Sequence, residues 1–278
     1  MPSIALVGPS SFDMARESTS TGVFLALLKD AFVGEGWEVK CLDRRINRGP
    51  VPTDVVLFHD YHDAISQYIG LWGGAKVRAY FMEVPHVACD VSFTFGTKRV
   101  HKSPSIVYVG HPVWGGLKRR ERDESVVLVD HAWLPTRAKE FDWTDELYRE
   151  LQSVPGIRVL GIRARWAEVP SWAEPIGAKA FPEYVSSIER AGVFVVTHKG
   201  SYNGTVFDML ALGAKVICPT GFLLPKFAPG SLGVVEIDRP EDLASALACV
   251  AEQRDVTVPV SGAVSLMSKK LKTMLEAK

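Results

Sequence analysis

Cysteine is scarce in this chain, an excess of charge of either sign is absent, and no apolar run is long. The four cysteines, Cys41, Cys89, Cys218 and Cys249, show no CxxC spacing. That argues against a zinc site or a disulfide framework and favours a reducing compartment. No run approaches the roughly 18 apolar residues needed to cross a bilayer. The opening MPSIALVGPS lacks a basic start, a long apolar region and a small-residue cleavage end, so no signal peptide is read there. The expected location is the cytoplasm, that of a host cell if the chain is viral, and no membrane partner is expected. Lys plus Arg is 32 and Asp plus Glu is 32, so no global field selects a polyanionic partner. The first apolar segment is not followed by GxGxxG, which weakens a dinucleotide-dependent oxidoreductase. Internal repeats and low-complexity tracts are missing as well.

What is present is ordinary for a globular enzyme: 278 residues, 47% hydrophobic and 23% charged. That length suits two compact domains of about 100 to 150 residues each. IALVG (Ile4 to Gly8) reads as a buried strand, and GVFLALLKDAFVGEG as the helix after it. WEVKCLD, DVVLFHD, KVRAYFMEV and SIVYVGHPV follow as strands; SVVLVDHAW and GIRVLGIRA open a second series. Strands alternating with helices over this length imply parallel sheets covered on both faces. The expected fold class is α/β, with two Rossmann-like domains facing a cleft. The expected division is 1–122, 123–260 and a terminal helix, 261–278, with an apolar stripe at Val264, Leu266, Met267, Leu271, Met274 and Leu275.

The stretch from Tyr184 to Leu247 is the most informative. VFVV (Val193 to Val196) is a short buried-type strand, and THKGSYNGT turns from it into a helix beginning near Thr205. Gly200 and Gly204 permit the tight turn, and the free amides at such a helix start attract phosphate. His198 and Lys199 stand at its tip, while Ser201, Asn203 and Thr205 add donors. Asp208 lies one turn inside the helix, which Gly213 ends. An anion-binding turn with an acidic residue just beyond it suits a nucleoside diphosphate whose ribose hydroxyls need an acceptor.

The order of helix, AG, strand, glycine turn, then an acidic residue five positions before the Gly of LALGAKVI resembles the donor-binding half of GT-B glycosyltransferases. It is most similar to the retaining group that includes sucrose synthase and many bacterial sugar transferases. In that group two acidic residues stand eight positions apart. Here they fall on Gly200, which carries no side chain to face the transferred sugar, and on Asp208, which the resemblance places on the donor ribose. It also places a basic pair, Arg137 and Lys139, on the donor diphosphate, and implies that the terminal helix crosses back onto the first domain. The donor implied is a nucleoside diphosphate sugar, most simply a UDP-sugar, with no tightly bound cofactor. Trp166, Trp172 and Phe181, around a proline-bearing loop expected to approach the base, either flank base or sugar or sit in the core.

In the first half, HDYHD places His59, Asp60, His62 and Asp63 at the carboxyl end of a strand, where ligands of open α/β sheets bind. Strand alternation sends neighbours to opposite faces, so these four do not form an expected metal site, and metal dependence stays open. His59 and His62 are candidate acceptor contacts. Asp13, Asp60 and His86 are candidate bases for an acceptor hydroxyl, against capping or loop duty for each. Three basic runs, Arg44 to Arg48, Thr97 to Lys102 and Leu117 to Arg122, offer Arg99 and Lys102 to an anionic acceptor if they are not simply solvated. Small GT-B enzymes of phages glycosylate hydroxymethylated bases, so modified duplex DNA is carried as a candidate acceptor. A nucleotide-sugar epimerase or a non-catalytic nucleotide-binding module is the alternative, since fold does not determine function.

Overall fold

The computed structural model describes residues 1–17, 20–47, 49–59, 70–82, 88–94, 105–109, 117, 122–130, 143–162, 168–177, 180–198, 204–220, 234–252 and 262–278. The chain divides into two compact units. One comprises Met1–Pro112 with Val260–Lys278, the other Val113–Pro259.

The first unit is built on β1 (Ser3–Gly8), α1 (Ser20–Gly34), β2 (Glu38–Asp43), β3 (Val55–Phe58), β4 (Val77–Phe81), β5 (Val91–Thr94) and β6 (Ile106–Tyr108). The strands form one sheet in the order β2-β1-β3-β4-β5-β6, every neighbouring pair parallel. Parallel strands are covered on both faces, which is why IALV and VVLF are fully buried, apolar runs rather than alternating ones. Leu25, Leu28 and Phe32 of α1 are buried. Val7, Phe58 and Tyr80 pack in one cluster with Leu71 and Trp72.

The last helix of the chain, α6 (Ala263–Glu276), belongs to this unit. The Trp37 indole N–H donates to Ser268 Oγ at 2.8 Å, and Lys272 Nζ donates to Glu35 O at 3.0 Å. Its buried stripe is Ala263, Met267 and Leu271, spaced by four, whereas Leu266, expected in the stripe, is half exposed.

The second unit runs β7 (Asp123–Val129), α2 (Thr144–Ser153), β8 (Arg158–Ile162), β9 (Glu174–Ile176), α3 (Phe181–Ile188), β10 (Ala191–Val195), α4 (Gly204–Leu212), β11 (Lys215–Pro219), β12 (Val234–Ile237) and α5 (Leu243–Glu252). Its sheet order is β12-β11-β10-β7-β8-β9, again parallel throughout. Counted within the unit this is the 3-2-1-4-5-6 order of a Rossmann fold. Strand alternation divides the core. Val193 and Val195 pack toward α2 and α5, and Phe194 and Val196 toward α3 and α4. Gly213 takes a φ of +91° to end α4, the left-handed position that glycine adopts without penalty.

Two strands depart from expectation. β5 carries Ser92 and Thr94 wholly buried inside the sheet, so its run lacks an apolar signature. β9, with Pro175 at its centre, lies where a loop reaching the nucleotide base was expected. It is the edge strand of the sheet, a position that tolerates proline. Phe181, offered to base or sugar, is a buried residue at the start of α3, while Trp172 is partly exposed and meets Tyr148 edge to face. Arg122, the last residue of a run offered to an anionic acceptor, donates instead to the carbonyls of Leu212 and Glu189, at the carboxyl ends of α4 and α3. Among the described residues no helix is long and apolar enough to cross a membrane.

Strand order reverses between β1 and β3 in the first unit, and there the backbones come close. A Cβ added at Gly8 would stand 2.7 Å from the carbonyl oxygen of His59 and 2.3 Å from Leu25 Cδ1. The leucine can rotate but the strand carbonyl cannot. Gly8→Ala should therefore cost about 1–3 kcal/mol of stability, as overpacked cores do, read from the denaturant midpoint; an unchanged midpoint would mean that the strands separate freely at this point.

Candidate functional site

In an open parallel sheet the carboxyl ends of the strands flank a crevice wherever strand order reverses, because successive crossovers leave in opposite directions. In the second unit that point lies between β7 and β10. Asp130 follows β7 directly, and its N–H donates to Val195 O at 3.0 Å. His198 follows β10 after Thr197. His198 Nδ1 and Asp130 Oδ2 stand 3.9 Å apart, both side chains largely buried.

Three helices bring further polar groups to this edge. Tyr184 of α3 shares a hydrogen bond with Thr205 of α4, its hydroxyl 3.0 Å from Thr205 Oγ1. Burial pushes the Tyr184 phenol well above its ordinary value, and the nearby carboxylates of Asp208 and Asp130 push the same way. Tyr148 of α2 behaves alike, raised by burial and then by Asp130. It lies over β8 at Gly161, where a Cβ would come within 2.4 Å of the Tyr148 oxygen. Asp208, one turn inside α4, retains some exposed surface, yet the surrounding protein pushes its carboxyl up to about 7. The result is a shielded edge holding an imidazole, two carboxyls and two neutral phenols beside the start of a helix.

Of the donor residues expected from sequence, His198, Gly204, Thr205 and Asp208 fall on this edge. Arg137, Lys139, Lys199, Gly200, Ser201 and Asn203 lie outside the described residues. Asp130 was missed, although an acidic residue directly after a buried run such as SVVLV marks a strand end. Tyr148 and Tyr184 were missed because aromatic residues at helical spacing read as core.

The corresponding edge of the first unit holds Asp13 and His59. Asp13 caps the turn after it: Oδ1 accepts from the Ala15 N–H at 3.1 Å, and Oδ2 is 3.2 Å from Arg16 Nε. The loop is held by Glu17, which sequence reasoning passed over; its buried carboxylate accepts from Ser10 Oγ, Ser11 N and Ser11 Oγ at 2.9, 2.7 and 2.5 Å. Phe12 sits there at a φ of +56°, a left-handed strain held by its N–H bond to Ser10 Oγ and by Lys29 Nζ on its carbonyl.

His59 is 1% exposed, stacked on Phe81 and edge-on to Phe24. Its Nδ1 is 2.7 Å from Phe81 O. A carbonyl only accepts, so Nδ1 carries the proton and Nε2 is an acceptor with no hydrogen-bond partner among the described residues. Burial lowers its pKa to about 4, keeping it neutral. Asp60, His62, His86, Arg99 and Lys102 lie outside the described residues. Arg45 of the first basic run is held bidentately by Asp43. Among the described residues no three His, Cys, Asp or Glu side chains are grouped to hold a metal ion.

The two Rossmann-like units define the GT-B fold of glycosyltransferases, and solved structures agree. Sucrose-phosphate synthase from Thermosynechococcus elongatus matches with a TM-score of 0.64 at 11% identity, over 100% of this chain and 94% of that one. An α-glucosyltransferase in complex with UDP and a 13-mer DNA containing an HMU base matches with a TM-score of 0.59 at 11% identity, over 99% and 95%. A protein from Listeria monocytogenes assigned as a UDP-N-acetylglucosamine 2-epimerase matches with a TM-score of 0.63 at 10% identity, over 100% and 97%. The sequence itself matches no family model and no curated protein.

The raised pKa of Asp208 has a signed consequence. The folded chain keeps this proton up to about pH 7, while the unfolded chain loses it near about 3.9. Stability contributed by the site therefore falls as pH rises between those values. Asp208→Asn should stabilise the chain at pH 7.5 by roughly 1–2 kcal/mol, less than the whole shift implies because the residue is only partly buried, and the gain should vanish near pH 4. Denaturant titrations at the two pH values check this; an equal effect at both would show that the carboxyl is not protonated in the folded chain.

Proposed function

We propose that the chain is a glycosyltransferase that moves a sugar from a nucleoside diphosphate sugar, most simply a UDP-sugar, to an acceptor hydroxyl. The observation that carries the reading is the polar edge of the second unit. His198, Thr205 and Asp208 gather at the strand-order reversal of a GT-B fold, beside a helix start whose amides favour phosphate. Asp208 would accept from the ribose hydroxyls. Lys199, Arg137, Lys139 and the helix start would stabilise the departing diphosphate, with Gly200, Ser201, Asn203 and Gly204 shaping the turn. The likeness to an α-glucosyltransferase in complex with UDP supports this choice of donor.

The acceptor would be held by the N-terminal domain read from the sequence as residues 1–122, with Asp13, Asp60 and His86 as candidates to take the hydroxyl proton. Asp13 would have to leave the turn that it caps to do so. His59, with its bare Nε2, and His62 would contact the acceptor. Modified duplex DNA is favoured as acceptor by the DNA complex among the similar structures and by Arg99 and Lys102 in the basic runs. The likeness to a protein assigned as an epimerase supports a second reading, in which the sugar is altered on its nucleotide and not transferred.

Chromatography that resolves sugar epimers, coupled to mass spectrometry, of UDP-sugars incubated with the chain and a panel of acceptors separates the readings. Transfer predicts loss of the donor with a glycosylated product; epimerisation predicts an isomer of unchanged mass and no product; intact donor under all conditions contradicts both. Asp208→Ala should weaken UDP binding at pH 8.5, where the carboxyl is ionised, by roughly 1.5–3 kcal/mol, the worth of hydrogen bonds to a charged group. Unchanged calorimetric affinity would remove Asp208 from the site. If duplex DNA is the acceptor, its binding should fall with salt by a slope of about −0.9 per phosphate neutralised, and Arg99→Ala with Lys102→Ala should flatten that slope. No binding of hydroxymethylated duplex at low salt would dismiss DNA.

A further inference from the structure

Asp130 has no part in the donor reading above, and its placement raises a physical difficulty for it. A bare carboxylate at the strand-order reversal would repel an incoming diphosphate. The pairing of β7 with β10 resolves the difficulty, because it brings the residues following both strands to one point. The Asp130 N–H is bound to Val195 O, and His198 lies three residues beyond Val195. The two side chains are 13% and 8% exposed, with Oδ2 and Nδ1 3.9 Å apart.

We propose that Asp130 is a positioning residue for the donor: its carboxylate turns His198 Nδ1 toward itself and holds the ring as imidazolium, leaving the Nε2 N–H to donate to an oxygen of the nucleoside diphosphate. This rests on the donor reading and names the group within that site that recognises the diphosphate. An opposite charge within about 4–6 Å favours the charged form of a histidine. Paired in this way, the two residues are neutral together and present a donor to the ligand in place of a negative charge. The other titratable groups at this edge among the described residues are Tyr148 on α2, Tyr184 on α3 and Asp208 on α4. Both phenols are held neutral, and the Asp208 carboxyl keeps its proton up to about 7. Asp130 is thus the carboxyl at ion-pair distance from the ring.

The test joins a proton NMR titration of the His198 ring in the full chain, assigned with His198→Gln, to calorimetry with UDP and with uridine. In the wild-type chain the ring should titrate at or above its ordinary value of about 6.5 despite burial. Asp130→Asn should lower that midpoint by about one unit and weaken UDP about tenfold at pH 7, the change that one unit represents. Uridine binding should be unchanged, and Asp130→Glu should restore both readouts. A wild-type midpoint well below the ordinary value overturns the proposal even if no variant folds. So does an Asp130→Asn chain with an unmoved midpoint, or one that loses UDP and uridine binding equally. Any of these three results beside normal UDP binding by the wild-type chain leaves the donor reading standing. No UDP binding by the wild-type chain at any pH overturns both.

Discussion

Parallel pairing is the constraint on which the rest of the structure depends. A strand with parallel neighbours on both sides needs helices over both faces, so its side chains are drawn from the apolar set and its polar chemistry is displaced to its ends. In the second unit Val127, Leu128, Val129, Val193, Phe194 and Val195 are all fully buried. The first residues able to meet water or a ligand are those just beyond, Asp130 and His198. In the first unit the same rule brings Gly8 against His59. Strand order then selects among the ends, because a crevice opens where the crossovers diverge.

The two edges differ in their electrostatics. That of the second unit is rich in groups whose charge depends on their neighbours: an imidazole near a carboxylate, a second carboxyl made basic by burial, and two phenols held neutral. Groups perturbed in that way mark a candidate functional site. The edge of the first unit is tied by hydrogen bonds. Phe12 holds a strained backbone inside a net of hydrogen bonds from Ser10, Ser11, Glu17 and Lys29. His59 is fixed in one tautomer by the Phe81 carbonyl.

Much of this was legible in the residues. Runs such as IALV, VVLF and VICP announce parallel strands because burial on both faces leaves no alternation, and the glycines of THKGSYNGT announce the helix α4, which begins at Gly204. β5 escaped notice because VSFT buries Ser92, whose hydroxyl is satisfied 3.0 Å from Cys89 Sγ, a partner that no local pattern reveals. β9 escaped because three residues around a proline form a strand only when an edge is available to receive them. At the site, Asp208 was visible from its spacing within one helix. Asp130 and His198 lie 68 positions apart in the chain, and their meeting follows from strand order, which sequence leaves open. Arg122 illustrates the converse, since a charge run cannot show that one of its members is turned inward to helix carbonyls.

The central claim is that the strand-order reversal of the second unit receives a nucleoside diphosphate. Amide hydrogen exchange of the full chain with and without UDP tests it most directly. The account predicts slowed exchange just after β7, from the end of β10 through the first turn of α4, and little change in β2 to β6. Protection confined to the first unit, or none at saturating UDP, would contradict it.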